Sequence, residues 1–114
     1  MLSQETLRNI AQDLPGAEEG TMYGTPAFRV GKKWFVRIHG KEDAVVVKLG
    51  SVGEQQALLA EEPDIYFITS HYEGHAAILV LGTTGESCFR EIMTSAWRRV
   101  ARKKDLVAKG DPVD

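Results

Sequence analysis

The stretch GTPAFRVGKKWFVRI, residues 24–38, constrains the fold of this chain more than any other. Two runs rich in β-forming residues flank Gly31 and Lys32, a pair suited to a tight turn. The chain therefore doubles back here as a β-hairpin with a basic tip. A period of two assigns Phe28, Val30, Trp34, Val36 and Ile38 to the core side. It leaves Arg29, Lys33, Phe35 and Arg37 outside. A third run, residues 44–49 with three successive valines, follows the Gly40-Lys41-Glu42 loop. Sequential strands on short loops make an antiparallel sheet.

Helices precede and follow this core. Ser3 is placed to cap a helix running to about Asp13, with Leu7, Ile10, Ala11 and Leu14 on one face and Pro15-Gly16 ending it. A short strand is expected over residues 21–23. Ser51 with Glu54 has the form of a capping box, opening a helix that carries Leu58 and Leu59 and stops before Pro63. Residues 65–69 and 76–81 read as two further strands joined by a loop over 70–75. Thr83 with Glu86 suggests a second capping box for the longest helix, to about Lys104. There Phe89, Ile92, Met93, Ala96 and Val100 share a face and Trp97 flanks it. Residues 107–114, with Gly110 and Pro112, read as a frayed tail. The order α-β-β-β-β-α-β-β-α predicts an α+β, two-layer sandwich: an antiparallel sheet of about five to six strands with three helices on one face. A chain of 114 residues suits one domain, here residues 1–106.

Charge and composition narrow the function classes. No apolar run approaches the roughly 20 residues that span a bilayer, and no signal peptide is recognisable, so no membrane partner and a cytoplasmic location are expected. Cys88 is the sole cysteine, which rules out an internal disulfide. Net charge is −2, against the basic excess usual in nucleic-acid binders. The cations are nevertheless segregated. Arg29, Lys32, Lys33, Arg37, Lys41 and Lys48 fall in one segment, and Arg98, Arg99, Arg102, Lys103 and Lys104 in another. No Lys or Arg lies between residues 51 and 85.

Two sets of candidate site residues follow. The first would contact nucleic acid: Arg29, Lys32, Lys33 and Arg37 on the hairpin to neutralise phosphates, Phe35 as an exposed stacking face, and Arg98, Arg99 and Arg102 at the helix end. The plainer account of the same residues is a solvated sheet face and cations that complement a helix macrodipole. The second set, Tyr23, His71 and His75, would bound a ligand cleft together with Trp34. His71, Glu73 and His75 alternate like metal ligands, but Gly74 interrupts the pleat and no cysteine is near, so no metal is expected. No nucleophile elbow, phosphate loop or separated carboxylate pair is present. Neither catalytic residues nor a cofactor are expected, and Cys88 reads as a small buried residue.

Five segments in order carry a family resemblance: LPGAEEG (14–20), YGTPAFRVGKKWF (23–35), the Pro-Asp-x-x-Phe pattern at 62–67, YEGHAAILV (72–80) and AWRRVARKK (96–104). Together they resemble the MmcQ/YjbR-like family over nearly the whole chain. That resemblance implies a frataxin-like or secretion-chaperone-like α+β domain, and it carries a DNA-binding label resting on a proposed double wing of hairpins. The expected partner is then DNA. The alternative is a non-enzymatic protein-interaction domain using an exposed sheet face with Phe35 and Tyr72.

Overall fold

Residues 1–111 are described by the computed structural model. Helix α1 (Gln4–Ala11) is followed by strands β1 (Ala17–Met22), β2 (Thr25–Val30), β3 (Lys33–Ile38) and β4 (Ala44–Lys48). Helix α2 (Val52–Glu61), the two-residue strand β5 (Tyr66–Phe67), a 3-10 turn (Ser70–Tyr72) and β6 (Ala77–Leu81) come next. Helices α3 (Glu86–Val100) and α4 (Lys103–Lys109) close the chain. The six strands form one antiparallel sheet in the order β1-β2-β3-β4-β6-β5.

The main core lies between one sheet face and α1 and α3. Leu7 and Ile10 of α1 and Phe89, Met93 and Trp97 of α3 close over Phe28, Val36, Val45, Ile78 and Val80. The Trp97 indole donates to the Pro15 carbonyl at 2.9 Å, so this large ring is buried with its polar handle satisfied. Ser3 caps α1 as expected, its hydroxyl accepting from the Thr6 amide at 3.2 Å. Ser51 caps α2 through the Glu54 amide, but the Glu54 carboxylate turns to the Gly50 amide, one residue short of a closed capping box. Thr83 does not cap α3; Gly85 holds that position and offers no side chain.

Three further expectations are corrected. First, β2 and β3 do not keep a uniform period of two. Phe28 faces Val36 but Arg29 faces Trp34, so β3 carries one extra residue, Phe35, as a β-bulge. Phe35 and Val36 both enter the main core, and Phe35 is 0% exposed. Trp34 is displaced to the opposite face. Burying the phenyl ring supplies the driving force for the irregularity. Second, the last helix stops at Val100 because Ala101 is extended, and a fourth helix begins. The Asp105 carboxylate accepts from the Arg102 amide at 3.0 Å, which caps α4. Gly110, in the left-handed region, ends it. Residues 107–109 are thus helical rather than frayed; residues 112–114 of the expected tail lie outside the described residues. Gly16 makes this junction tight: φ is +78°, and a Cβ there would lie 2.6 Å from the Asp105 carboxylate. Third, β1 begins at Ala17, well before residue 21, and β5 is shorter than the run 65–69.

The second sheet face is not bare. Ala44, Val46, Ala77 and Leu79 form a smaller buried cluster with Tyr72, flanked by Trp34, Phe67 and Ile68. Tyr72, from the 3-10 turn, covers β4 and β6 on that face, while toward β1 and β2 Glu18 and Arg29 stay exposed.

Candidate ligand cleft on the open sheet face

Beside that covering segment lies a cleft of about 580 Å³, lined among others by Tyr23, Arg37, His39, Lys41, His71 and Tyr72. Each side chain arrives from a different local device. Tyr23 sits at the tip of the β1–β2 hairpin with φ 54°, followed by Gly24 at φ 78°. Two successive positive φ angles match the type I′ turn that suits a two-residue hairpin, in which the first position favours Asn, Asp or Gly. A tyrosine there is strained by roughly 1–3 kcal/mol. The Thr25 hydroxyl braces the turn by donating to the Met22 carbonyl at 2.9 Å. Tyr23 is 83% exposed.

Arg37 follows the β3 bulge and points to the cleft side of the sheet. It is 9% exposed. Its guanidinium donates to the Tyr72 hydroxyl and lies 5.3 Å from the centre of the Tyr23 ring, a cation–π distance. A guanidinium has five N–H donors; among the described residues, the Tyr72 hydroxyl is the hydrogen-bond partner they find.

Tyr72 and its neighbours are fixed from behind by Gln55, a buried residue of α2. The Gln55 amide nitrogen reaches three carbonyls, of Tyr72 at 2.8 Å, His75 at 2.9 Å and Ala77 at 2.7 Å. One NH2 group thus anchors the loop to the start of β6. His71 meets the Tyr72 ring edge-on at 4.8 Å, and His75 stacks on His71 at 5.9 Å with 9° between the planes. On the other side of Tyr72, His39 accepts at Nδ1 from the Lys41 amide (3.1 Å) and the Glu42 amide (2.9 Å). In the neutral ring the proton is therefore on Nε2. Burial, then the charge of Arg37, hold the His39 pKa below its ordinary value.

Arg37 differs from every other arginine. Arg8, Arg29, Arg90, Arg98, Arg99 and Arg102 have carboxylate partners in Glu19, Glu18, Asp13, Asp111, Glu54 and Asp105 respectively. Among the described residues Arg37 has none. With Arg37 and Lys41 set against a single carboxylate, Glu42, the cleft is a cationic, aromatic-walled recess, suited to holding an anion and to stacking a flat group.

The expected site residues divide accordingly. Tyr23 and His71 line one cleft and His75 stacks against its wall. Trp34 lies on the same sheet face, 6.0 Å from the Lys48 ammonium, outside that lining. Arg37, expected on an outer hairpin surface, joins the cleft instead. Phe35 offers no stacking face because the bulge buries it, and with Tyr72 also buried the expected protein-docking pair is not on the surface. Arg29, Lys32 and Lys33 remain exposed, with Arg29 engaged by the Gly31 carbonyl at 3.1 Å. The two basic segments do meet, since Lys33 and Arg99 line one depression with Lys48, but Arg99 is held by Glu54. Among the described residues no group of three or more His, Cys, Asp or Glu side chains is placed to hold a metal ion, and no helix is long and apolar enough to cross a membrane.

A family model described as YjbR matches residues 12–99. Uncharacterized proteins of Mycobacterium bovis and Mycobacterium tuberculosis are 38% identical over 63 residues, covering 54% of this chain and 49% of theirs. The match thus spans about half the length of those relatives. A crystal structure of a Deinococcus radiodurans protein, assigned to the family-model domain DUF419, superposes with a TM-score of 0.71 at 18% identity. It covers 98% of this chain and 91% of that one, and it shares the fold.

Proposed function

The chain belongs to the YjbR family, and within that frame we propose that it is a non-enzymatic binding module whose open sheet face takes an anionic ligand. The observation that carries this reading is Arg37. A charge taken out of water is costly unless paired. Arg37 is nine-tenths buried, its hydrogen bond goes to a neutral hydroxyl, and its remaining donors belong to a cleft wall. An anion entering the cleft completes the guanidinium's hydrogen bonds and neutralises it, with Lys41 at the rim. Calorimetric titration with inorganic phosphate at low salt tests this. Wild type is expected to bind and Arg37→Met to lose binding while remaining folded. Equal binding by both forms, or none by wild type, overturns it.

DNA binding through the β2–β3 hairpin is the second reading. It is favoured by Lys32 and Lys33, which are exposed at the hairpin tip without a carboxylate partner among the described residues. Against it stand the net charge of −2 and the carboxylates already holding Arg98, Arg99 and Arg102. A gel-shift titration at two salt concentrations, with Lys32→Glu/Lys33→Glu as control, separates the readings. No retardation of any duplex at low salt ends this one.

A further inference from the structure

We propose that the cleft's ligand has two parts, a flat aromatic ring that stacks on Tyr23 and a phosphate that reaches Arg37, the design of a nucleoside monophosphate. This rests on the anion reading above and adds to it the aromatic half and the spacing between the parts.

Tyr23 occupies a left-handed position that Asn or Gly would fill without penalty. It gains no compensating burial, because the side chain is 83% exposed. Burial gives no reason for a large aromatic at this tip, and strained residues of this kind concentrate at ligand clamps. What the tyrosine does have is a cation on one face: the Arg37 guanidinium lies 5.3 Å from the ring centre. The opposite face is free to receive another ring.

The geometry then selects among aromatic anions. A ring in van der Waals contact with the free face lies about 3.5–4 Å beyond Tyr23. Added to the 5.3 Å on the other side, this puts the stacked ring roughly 9 Å from the guanidinium. A carboxylate attached directly to such a ring, as in benzoate, stays in the ring plane and cannot reach Arg37. A phosphate set off from the ring by a sugar can pass the tyrosine edge and reach it. The recess of about 580 Å³ lies within the range of small-molecule sites, about 300–1,000 Å³. Lys41 and His71 line the same recess as further donors to a phosphate or a ribose hydroxyl.

The test is a set of calorimetric titrations of the whole chain with adenosine monophosphate, adenosine and inorganic phosphate, repeated on Tyr23→Asn, which suits the turn, and on Arg37→Met. The monophosphate is expected to bind wild type roughly tenfold or more tighter than inorganic phosphate, the scale of one base–aromatic stack. Tyr23→Asn should lose that advantage while leaving inorganic phosphate binding unchanged. If the monophosphate and inorganic phosphate bind alike, and Tyr23→Asn changes neither, the aromatic half is wrong and the anion site stands. If Arg37→Met binds inorganic phosphate as wild type does, the anion reading itself fails. A single-stranded oligonucleotide that binds and is not displaced by the monophosphate overturns the proposal in favour of a polymer site.

Discussion

Arg37 and Phe35 are two residues apart on one strand, and simple alternation would give them the same outward role. The structure separates them, with Phe35 in the helix-side core and Arg37 nine-tenths buried in a cleft on the other face. A buried charge kept for packing would cost stability when removed; one kept for a ligand would not. Replacing buried ionic groups with apolar side chains of similar volume is often neutral or stabilising, and Arg37→Met leaves behind only the neutral Tyr72 hydroxyl, with no buried charge. Arg37→Met is therefore expected to unfold at the same or a higher denaturant concentration than wild type, within about 1 kcal/mol of neutral or above. A loss of several kcal/mol would mark Arg37 as structural. His39 supplies a pH signature for the same site. Its folded pKa lies below the ordinary 6.5, through burial first and the Arg37 charge second, with His71 and Lys41 acting in the same sense and Glu42 against. The folded state then resists a proton that the unfolded state accepts. Stability is complete above pH 6.5 and declines as pH falls through that value. Denaturant midpoints followed from about pH 8 down to about pH 5 should show this decline, and His39→Asn should flatten it. None of these roles could be read from residue type alone, because Arg, His and Tyr on a hairpin are ordinary surface until the fold shows which are enclosed.

At the scale of elements, the bulge in β3 decides which aromatic does what. Phe35→Ala is expected to cost about 3–5 kcal/mol, as for a fully buried ring, and Trp34→Ala less than half of that, because Trp34 is only partly buried. Uniform alternation predicts the reverse order, so chemical denaturation of the two variants discriminates. One extra residue leaves no mark in composition, which is why the period of two misassigned this pair. Other elements were plainly written. Ser3 and Ser51 mark the helix starts, and the apolar faces of α1 and α3 are periodic. The all-buried runs Val45-Val46-Val47 and Ile78-Leu79-Val80, with no alternation, are the signature of strands covered on both faces. Cover on one face only, as expected from the three helices, does not account for these runs; the loop over 70–75 supplies the second cover. Its anchor, Gln55, gave no sign of its own, since a glutamine within a helix is common and only tertiary contact brings it to three carbonyls. Gln55→Ala should cost about 1–3 kcal/mol by removing the side-chain donor from the His75 and Ala77 carbonyls, while the Tyr72 carbonyl keeps the His75 amide. Amide exchange should show the loss of protection centred on residues 70–77.

For the molecule as a whole, charge arrangement matters more than net charge. Two cationic segments are conspicuous along the chain, and folding gives most of their arginines carboxylate partners. Asp105 and Asp111 follow the basic run closely in sequence, but Glu54 comes from α2, so the neutralisation of Arg99 is invisible to a count along the sequence. The hairpin tip is left with Lys32 and Lys33 as its unpaired cations among the described residues. If duplex DNA binds at all through that tip, the slope of log K against log salt should be close to −2, the value for about two phosphate contacts. A slope of −6 or steeper would require phosphate contacts from cations well beyond that tip.

The central claim is that the working surface is the open-face cleft at Arg37 and not the hairpin tip. The most direct test is an amide chemical-shift titration of the full chain with adenosine monophosphate, run in parallel on Arg37→Met. Saturable shifts centred on Tyr23, Arg37, His39 and His71, absent from the variant, are the predicted result. Shifts centred on Gly31, Lys32 and Lys33, or an identical response from Arg37→Met, would contradict it.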